Sequence, residues 1–411
     1  MSQPWLCYVT SRLPWPPVSG AERRVHQHLE LLQLRFRICL ISTDRALTPS
    51  HLPPGEPPSY VDDIRIVRSG FNPGNSMRGA RGGWPLQVAR HYEPRVHRAV
   101  RIAERDLEPA CTIYSLVRAA PYMDGAQRPT VLDYCDALAL QFRLRARKVR
   151  PPRAALFDLE SRLLARYEDR CGEVANSTII TSVVDADAIS GERRPLVVRN
   201  PFDMDEPEVS GVDVRLPVGP LLVCSGDMST EYSAKAVHWF ADKVLPRVVE
   251  VRPDATFVVV GRDPTPSLVR LARRSPRILL TGAVPKVGPY LRAATVAVVP
   301  LMFGTGVKNK VLEAFAAGTP VVATSVADVG MGAAAADAMR VADEPNRFAA
   351  EVLNLIASPE LRQQQAEAAK TFAMTHYSSS AVEAGLLTAI RAAQSDFERG
   401  GSSFRSPGPT G

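Results

Sequence analysis

No apolar run in the chain approaches the roughly 18 residues that a membrane-spanning helix needs, and the opening MSQPWLCYVTSR lacks the pattern of a secretory signal peptide. The six cysteines, at positions 7, 39, 111, 135, 171 and 224, form no CxxC pair and no dense cluster. A secreted disulfide scaffold and a zinc module are therefore excluded, and a reduced cytoplasm is the expected compartment. No collagen-like period and no internal repeat is evident. No GxGxxG follows a strand-like segment, which argues against a dinucleotide-dependent oxidoreductase. What remains is 411 residues, 45% apolar and 23% charged, enough to bury two cores. Fifty Lys and Arg against 43 Asp and Glu leave a net charge of +7. That excess suits anionic ligands or an acidic membrane surface and does not by itself point to nucleic acid.

Along the chain, strand-like and helix-like segments alternate. Leu6–Thr10 reads as a first strand, followed by the loop LPWPPVSG over 13–20 and a helical stripe of Val25, Leu29 and Leu32, then a second strand over Arg37–Ser42. Further strands are predicted at Ile64–Arg68, Thr112–Ser115, Thr130–Tyr134 and Thr178–Ser182, with an amphipathic helix over Leu156–Arg170. After Ile189 the rhythm restarts, with strands predicted at Pro220–Ser225, Thr256–Val260, Ile278–Thr281, Val296–Pro300 and Pro320–Thr324. Two successive series predict an α/β fold of two doubly wound Rossmann-like domains facing across a cleft. Two long loops, Thr48–Tyr60 with its prolines and Gly70–Pro85, read as either disordered or ligand-facing.

The stretch Val298–Thr324, VVPLMFGTGVKNKVLEAFAAGTPVVAT, carries the chemistry. A strand ends at Pro300, a loop holds Gly304 and Gly306, and a helix opens near Lys308. Glycines at such a junction let backbone N–H groups approach an anion, and the helix N-terminus favours negative charge. Lys308 adds a full positive charge there. Asn309 and Glu313, four apart, share one helix face just inside the expected pocket, where a carboxylate suits paired ribose hydroxyls. Together these describe a nucleoside diphosphate site; an ordinary strand–loop–helix with a solvated Lys and Glu is the bland alternative.

This segment resembles the donor-site signature of GT-B glycosyltransferases, family four, and within it the exopolysaccharide and secondary-metabolite subgroup. TSRLPWPPVSGAERR over 10–24 is similar to the family's first-loop motif, VLDYCDAL over 131–138 to the strand ending at the catalytic cleft, and VVRNP over 197–201 to its interdomain strand. VVVGRD over 258–263 and LTGAVP over 280–285 resemble the second domain's strand ends. The resemblance implies an acceptor-binding domain over 1–198 and a nucleotide-sugar-binding domain over 199–375. It further implies a helix over 376–395 crossing back, before a disordered tail over 396–411. It also implies that Glu313 binds the donor ribose, that Lys308 and the amides of Thr305, Gly306 and Val307 hold the diphosphate beside Gly304 and Asn309, that Gly20 lies against donor phosphate and sugar, and that the Val284 backbone reads the base. The chain departs from the family at three places. Thr305 stands where many members have a sugar-contacting glutamate, Cys135 where many have a histidine, and the loop after Ser225 offers only Lys235 where a basic pair is usual.

The activity so implied is hexosyl or N-acetylhexosaminyl transfer, with retention, from a nucleotide-diphosphate sugar (UDP-GlcNAc or UDP-glucose) to a hydroxyl of a small acceptor such as an aminoglycoside-type antibiotic intermediate. Transfer to a lipid-linked saccharide, a sugar-nucleotide epimerase and an idle scaffold are the alternatives. No metal or other cofactor is expected, since no DxD-like pair ends a strand and Lys308 with helix-end amides meets the phosphate charge. Asp133 and Asp136 read either as acceptor-side catalytic carboxylates or as strand-end caps. Arg24 and His28 read either as acceptor contacts or, for His28, as the flank of a buried helix. The basic stretch 141–153 is either a solvated face or a peripheral contact with an anionic membrane.

Overall fold

The computed structural model of the chain describes residues 3–15, 17, 19–44, 58–68, 74, 77, 83–147, 149–202, 216–302, 308–332 and 335–400. The loops predicted over 48–60 and 70–85 fall largely outside the described residues, as do Gly304, Thr305, Gly306 and Val307 and the end of the tail from 401. The chain divides into two compact units, Met1–Pro201 with Ser379–Gly411, and Phe202–Ser378. The divisions fall at 201/202 and 378/379, where the sequence put 198/199 and 375/376; at the second, the helix Pro359–Tyr377 runs through to Tyr377 and the next begins at Ser379.

The first unit is built on seven strands: β1 (Trp5–Thr10), β2 (Arg37–Asp44), β3 (Asp63–Arg68), β4 (Cys111–Ser115), β5 (Thr130–Asp133), β6 (Ser177–Ile180) and β7 (Leu196–Val197). They lie in the order β3-β2-β1-β4-β5-β6-β7, and every pairing is parallel. Central strands such as Cys111–Ser115 are buried along their whole length, as a sheet covered on both faces requires. The helix Gly20–Leu32 starts on a capping box between Ser19 and Glu22 and turns Val25, Leu29 and Leu32 into the core. The final helix, Ser379–Glu398, belongs to this unit too. Its Val382, Leu386, Ala389, Ile390 and Ala393 are buried in the same cluster as Leu6, Ile113 and Val131. Each buried Val, Leu or Ile among them contributes about 1.5–3 kcal/mol, each Ala less. The helix extends past the expected start of the tail at 396, because Asp396 accepts a 3.0 Å hydrogen bond from Asn176 Nδ2.

The second unit carries six strands: β8 (Leu221–Ser225), β9 (Thr256–Val260), β10 (Ile278–Gly282), β11 (Val296–Val299), β12 (Val321–Ala323) and β13 (Arg340–Val341). Their order is β10-β9-β8-β11-β12-β13, again parallel throughout. In both units the order reverses beside the first strand, at β1/β4 and at β8/β11. An open α/β sheet places its ligand crevice at the carboxyl ends of the strands there. No described helix is long and apolar enough to cross a membrane.

Candidate functional site

In the second unit β8 ends at Ser225 and the chain turns at Gly226, whose φ of 146° suits glycine. The neighbouring tip of β9 comes so close that a Cβ on Gly261 would stand 1.7 Å from the Gly226 carbonyl oxygen. Backbone rather than side chain therefore lines this strand edge. Against it lies the helix Asn309–Ala316, which turns Val311, Leu312, Ala314 and Phe315 into the core and so directs Lys310 and Glu313 away from it. Glu313 accepts a 3.4 Å hydrogen bond from Ser225 Oγ and borders a cavity of about 410 Å³. Phe202, Val287, Leu291, Ala316 and Ala317 wall that cavity, with Val284 and Lys286 at its edge. Phe202 is held there by its backbone N–H, which donates to the Tyr377 carbonyl at 2.7 Å. A cavity of this size, with apolar walls and Glu313, Lys286 and Arg292 among its lining, is of a kind that small ligands use.

Two ammonium groups flank this rim. Lys308, at the N-cap of the helix, has its pKa held below the ordinary lysine range by burial and by the charge of Lys310. An anion bound between them would relieve that repulsion. The Lys310 ammonium reaches the turn after β8, 3.0 Å from where a Cβ on Gly226 would stand, and lies 5.6 Å from the Tyr232 ring centre. Lys235, the one basic residue that the sequence offered in this loop, instead pairs with Glu231 one helical turn away at 2.6 Å. Lys310 thus brings an ammonium to the turn where the sequence offered only Lys235. The sequence reading missed it, although its spacing of three from Glu313 puts both on one helix face. Asn309, expected inside the pocket, is exposed and does not border the cavity.

The first unit treats its strand tips differently. Arg24, on the helix Gly20–Leu32, is 1% exposed and grips Asp133 with both arms of its guanidinium, Nε to Oδ2 at 2.8 Å and Nη2 to Oδ1 at 3.0 Å. Its Nη1 donates to the Val198 carbonyl at 2.9 Å and to Asn200 Oδ1 at 2.8 Å. Burial alone would raise the Asp133 carboxyl, but the charge and fork of Arg24 take it below the usual carboxylate range. His28 shares a 3.0 Å hydrogen bond with the Tyr8 hydroxyl, and burial beside Arg24 lowers its pKa to about 3. Asp133 and His28 are both fully buried. These three residues are therefore interior, and the acceptor contacts expected of Arg24 and His28 are corrected. Asp133, read from the sequence either as a catalytic carboxylate or as a strand-end cap, has both of its oxygens in contact with Arg24.

Cys135 follows in the left-handed region at φ 59°, is 3% exposed, and has its thiol 4.0 Å from Ser115 Oγ. Burial and the Asp133 charge push that thiol's pKa well up. Asp136 is the exposed carboxylate at this tip, accepting from Gln141 Nε2 at 3.0 Å and Thr181 Oγ1 at 3.3 Å. Its pKa is raised by the surrounding protein and by Asp185. Gly20 is the exposed first residue of its helix, with nothing within 4 Å of where a Cβ would stand.

Residues 219–358 match the family model described as Glycosyl transferases group 1. That span contains Gly226, Val284, Lys308, Lys310 and Glu313. Among solved structures, sucrose-phosphate synthase from Thermosynechococcus elongatus superposes with a TM-score of 0.63 at 15% identity, over 95% of this chain and 98% of its own. HepE of Anabaena in complex with UDP gives 0.63 at 15% identity, over 94% and 100%. Trehalose 6-phosphate synthase from Burkholderia multivorans gives 0.57 at 14%, over 98% and 100%. No curated protein sequence matches the chain significantly. With two parallel-sheet α/β units that superpose on these enzymes, the chain has the GT-B fold and carries a glycosyltransferase group 1 domain over residues 219–358.

Proposed function

We propose that the protein is a metal-independent retaining glycosyltransferase, moving a hexosyl or N-acetylhexosaminyl group from a UDP-sugar to an acceptor hydroxyl. Glu313 carries the reading. Its carboxylate stands on the rim of a slot the size of a nucleoside, on the same helix as Lys310, whose ammonium reaches the backbone turn at Gly226, and close in sequence to Lys308. In this reading the base enters between Phe202 and Leu291 beside the Val284 backbone, and the ribose hydroxyls donate to Glu313. The diphosphate lies along Lys308 and Lys310 at the helix N-terminus. The glycosidic C1–O bond to the diphosphate breaks as the acceptor oxygen bonds to C1 on the same face. The acceptor proton passes to a donor phosphate oxygen. The lysines stabilise the charge that develops on the leaving UDP, so their contribution grows towards the transition state. In the first unit, Asp136 is the exposed carboxylate suited to orient an acceptor hydroxyl. Solved relatives bound to UDP and to UDP-glucose support the donor class.

The test is UDP release from UDP-GlcNAc or UDP-glucose with and without acceptor, in the native chain and in Lys310→Met. Acceptor-dependent release that falls about a hundredfold in kcat in the variant, at saturating donor, is expected. Interconversion of free sugar nucleotides without release, or an unchanged kcat in the variant, overturns the reading. A small aminoglycoside-type acceptor and a lipid-linked saccharide both offer the required hydroxyl, and mass spectrometry of the products separates them.

A further inference from the structure

In the first unit the end of β5 runs on into a short strap, Tyr134–Ala139. Tyr134, Cys135, Ala137 and Ala139 are buried, Leu138 is half-buried, and Asp136 alone is exposed. The amides on either side of Asp136 are held by carboxylates. Asp133 Oδ1 accepts from the Cys135 N–H at 3.0 Å and Asp185 Oδ1 from the Ala137 N–H at 3.1 Å. Glu168 Oε1 accepts from the N–H groups of Leu138 at 2.7 Å and Ala139 at 3.3 Å. All three carboxylates are buried. The Cys135 carbonyl is fixed as well, accepting from the Thr181 N–H at 3.0 Å and from Thr181 Oγ1 at 2.7 Å.

Glu168 is the unexpected member of this set. The helix Leu138–Ala146 begins after Ala137, which has no side chain to cap it. A helix ordinarily takes its cap from Ser, Thr, Asp or Asn at that position. Here the cap comes from the helix Arg153–Val174, 30 residues further along. Burial is unfavourable for the carboxyl of Glu168, which is 1% exposed, and pushes its pKa up to about 8. A serine at Ala137 would satisfy the same helix end without burying an acid. What the distant cap adds is a fixed point. The Tyr134 hydroxyl donates to the Glu168 carbonyl at 2.7 Å, and Ser161 Oγ to the Ala139 carbonyl at 2.8 Å. Gly172 leaves room for that tyrosine, since a Cβ there would stand 3.0 Å from its hydroxyl. Phe142 meets Phe157 edge to face, ring centres 5.7 Å apart. The strap is thus tied to one helix at both of its ends, and the direction in which Asp136 points follows from the strap.

We propose that Glu168 is a positioning residue for the transfer reaction: by holding the Leu138 and Ala139 amides it fixes the strap that presents Asp136 to the acceptor hydroxyl. The inference rests on the acceptor role proposed above for Asp136. The experiment compares two variants of the full chain. Glu168→Gln keeps the reach of the accepting oxygen, whereas Glu168→Asp keeps a carboxyl but withdraws it by one methylene. Both are followed by hydrogen–deuterium exchange over residues 134–140. Both are also assayed by UDP release from UDP-glucose or UDP-GlcNAc, with an acceptor that the native chain glycosylates. In Glu168→Asp the Leu138 and Ala139 amides should exchange about tenfold faster, as loss of a hydrogen bond allows. Its kcat/KM for the acceptor should fall about tenfold, with the donor KM and UDP affinity unchanged. Glu168→Gln should stay within about twofold of the native chain in every measure. A role in stability alone would lower the melting temperature of Glu168→Asp and leave its acceptor kcat/KM native, which overturns the proposal. So does a glutamine variant as impaired as the aspartate one. Asp136→Asn separates the two readings. If it loses transfer while Glu168→Asp does not, this inference fails and the role of Asp136 stands. If Asp136→Asn transfers as the native chain does, the acceptor role of Asp136 fails and this inference falls with it.

Discussion

The two units share a sheet order and a parallel pairing, yet their strand tips are put to opposite uses. In the first, the carboxyl ends of β1 and β5 are filled by the protein's own charges: Arg24 closes on Asp133, and His28 and Tyr8 complete the plug. In the second, the ends of β8 and β9 are bare backbone at Gly226 and Gly261, with two lysines that repel each other and a slot of about 410 Å³ beside them. The same architecture can thus close a buried charge on a carboxylate or bring two like charges close together. Only the side chains at the tips decide which. A tip filled by an internal ion pair ties the buried charges to folding.

The largest effect that would break this contrast is on the filled side. Asp133→Ala leaves the Arg24 guanidinium buried without its carboxylate, a situation that costs about 3–5 kcal/mol. Urea unfolding should show a loss of that order, largely recovered when Arg24→Met is added. A loss below about 1 kcal/mol would mean that the tip is open after all. On the open side, Glu313→Ala should leave folding intact and weaken UDP binding roughly ten- to a hundredfold, about 1.5–3 kcal/mol for a charge-assisted hydrogen bond. Calorimetry returning the native affinity would remove Glu313 from the ribose.

Acid provides a smaller effect. The unfolded chain takes a proton at His28 below about pH 6.5, whereas the folded chain resists until about pH 3. The folded state is therefore favoured above that window and loses this contribution as pH falls through it, by about 2 kcal/mol at pH 5. His28→Gln should flatten that part of the stability–pH curve, and an unchanged curve would place the histidine in water. The smallest effect expected is that of EDTA. With Lys308 and Lys310 meeting the phosphate charge, transfer should change by less than about twofold in saturating chelator. Activity abolished by EDTA and restored by Mg²⁺ would show that the lysines do not suffice.

Much of the fold was legible because a parallel sheet covered on both faces demands near-continuous apolar runs of four to eight residues, and those stand out. Thr256–Val260 forms a strand with the predicted bounds, and Arg37–Asp44 runs only two residues beyond its predicted end. The two-residue strand Arg340–Val341 has no period to read. Glu313 was legible because helical spacing relates it to the strand–glycine–helix junction before it. Lys310 was not, because its importance arises only where β8, 85 residues earlier in the chain, brings Gly226 beneath its ammonium.

The sequence alone therefore determined the alternation of elements and the two-unit α/β class, and pointed to the segment around Glu313 that borders the cavity. All three are encoded in local periodicity and in residue types at short spacing. Only the tertiary structure decided which charges meet. Arg24 and Asp133 are 109 residues apart in the chain and in bidentate contact in the fold. Glu168 caps the helix Leu138–Ala146 from 30 residues away. Whether a charged side chain is a ligand, a lock or a surface depends on what the far chain places against it. Coulomb and desolvation terms act across space without regard to sequence separation.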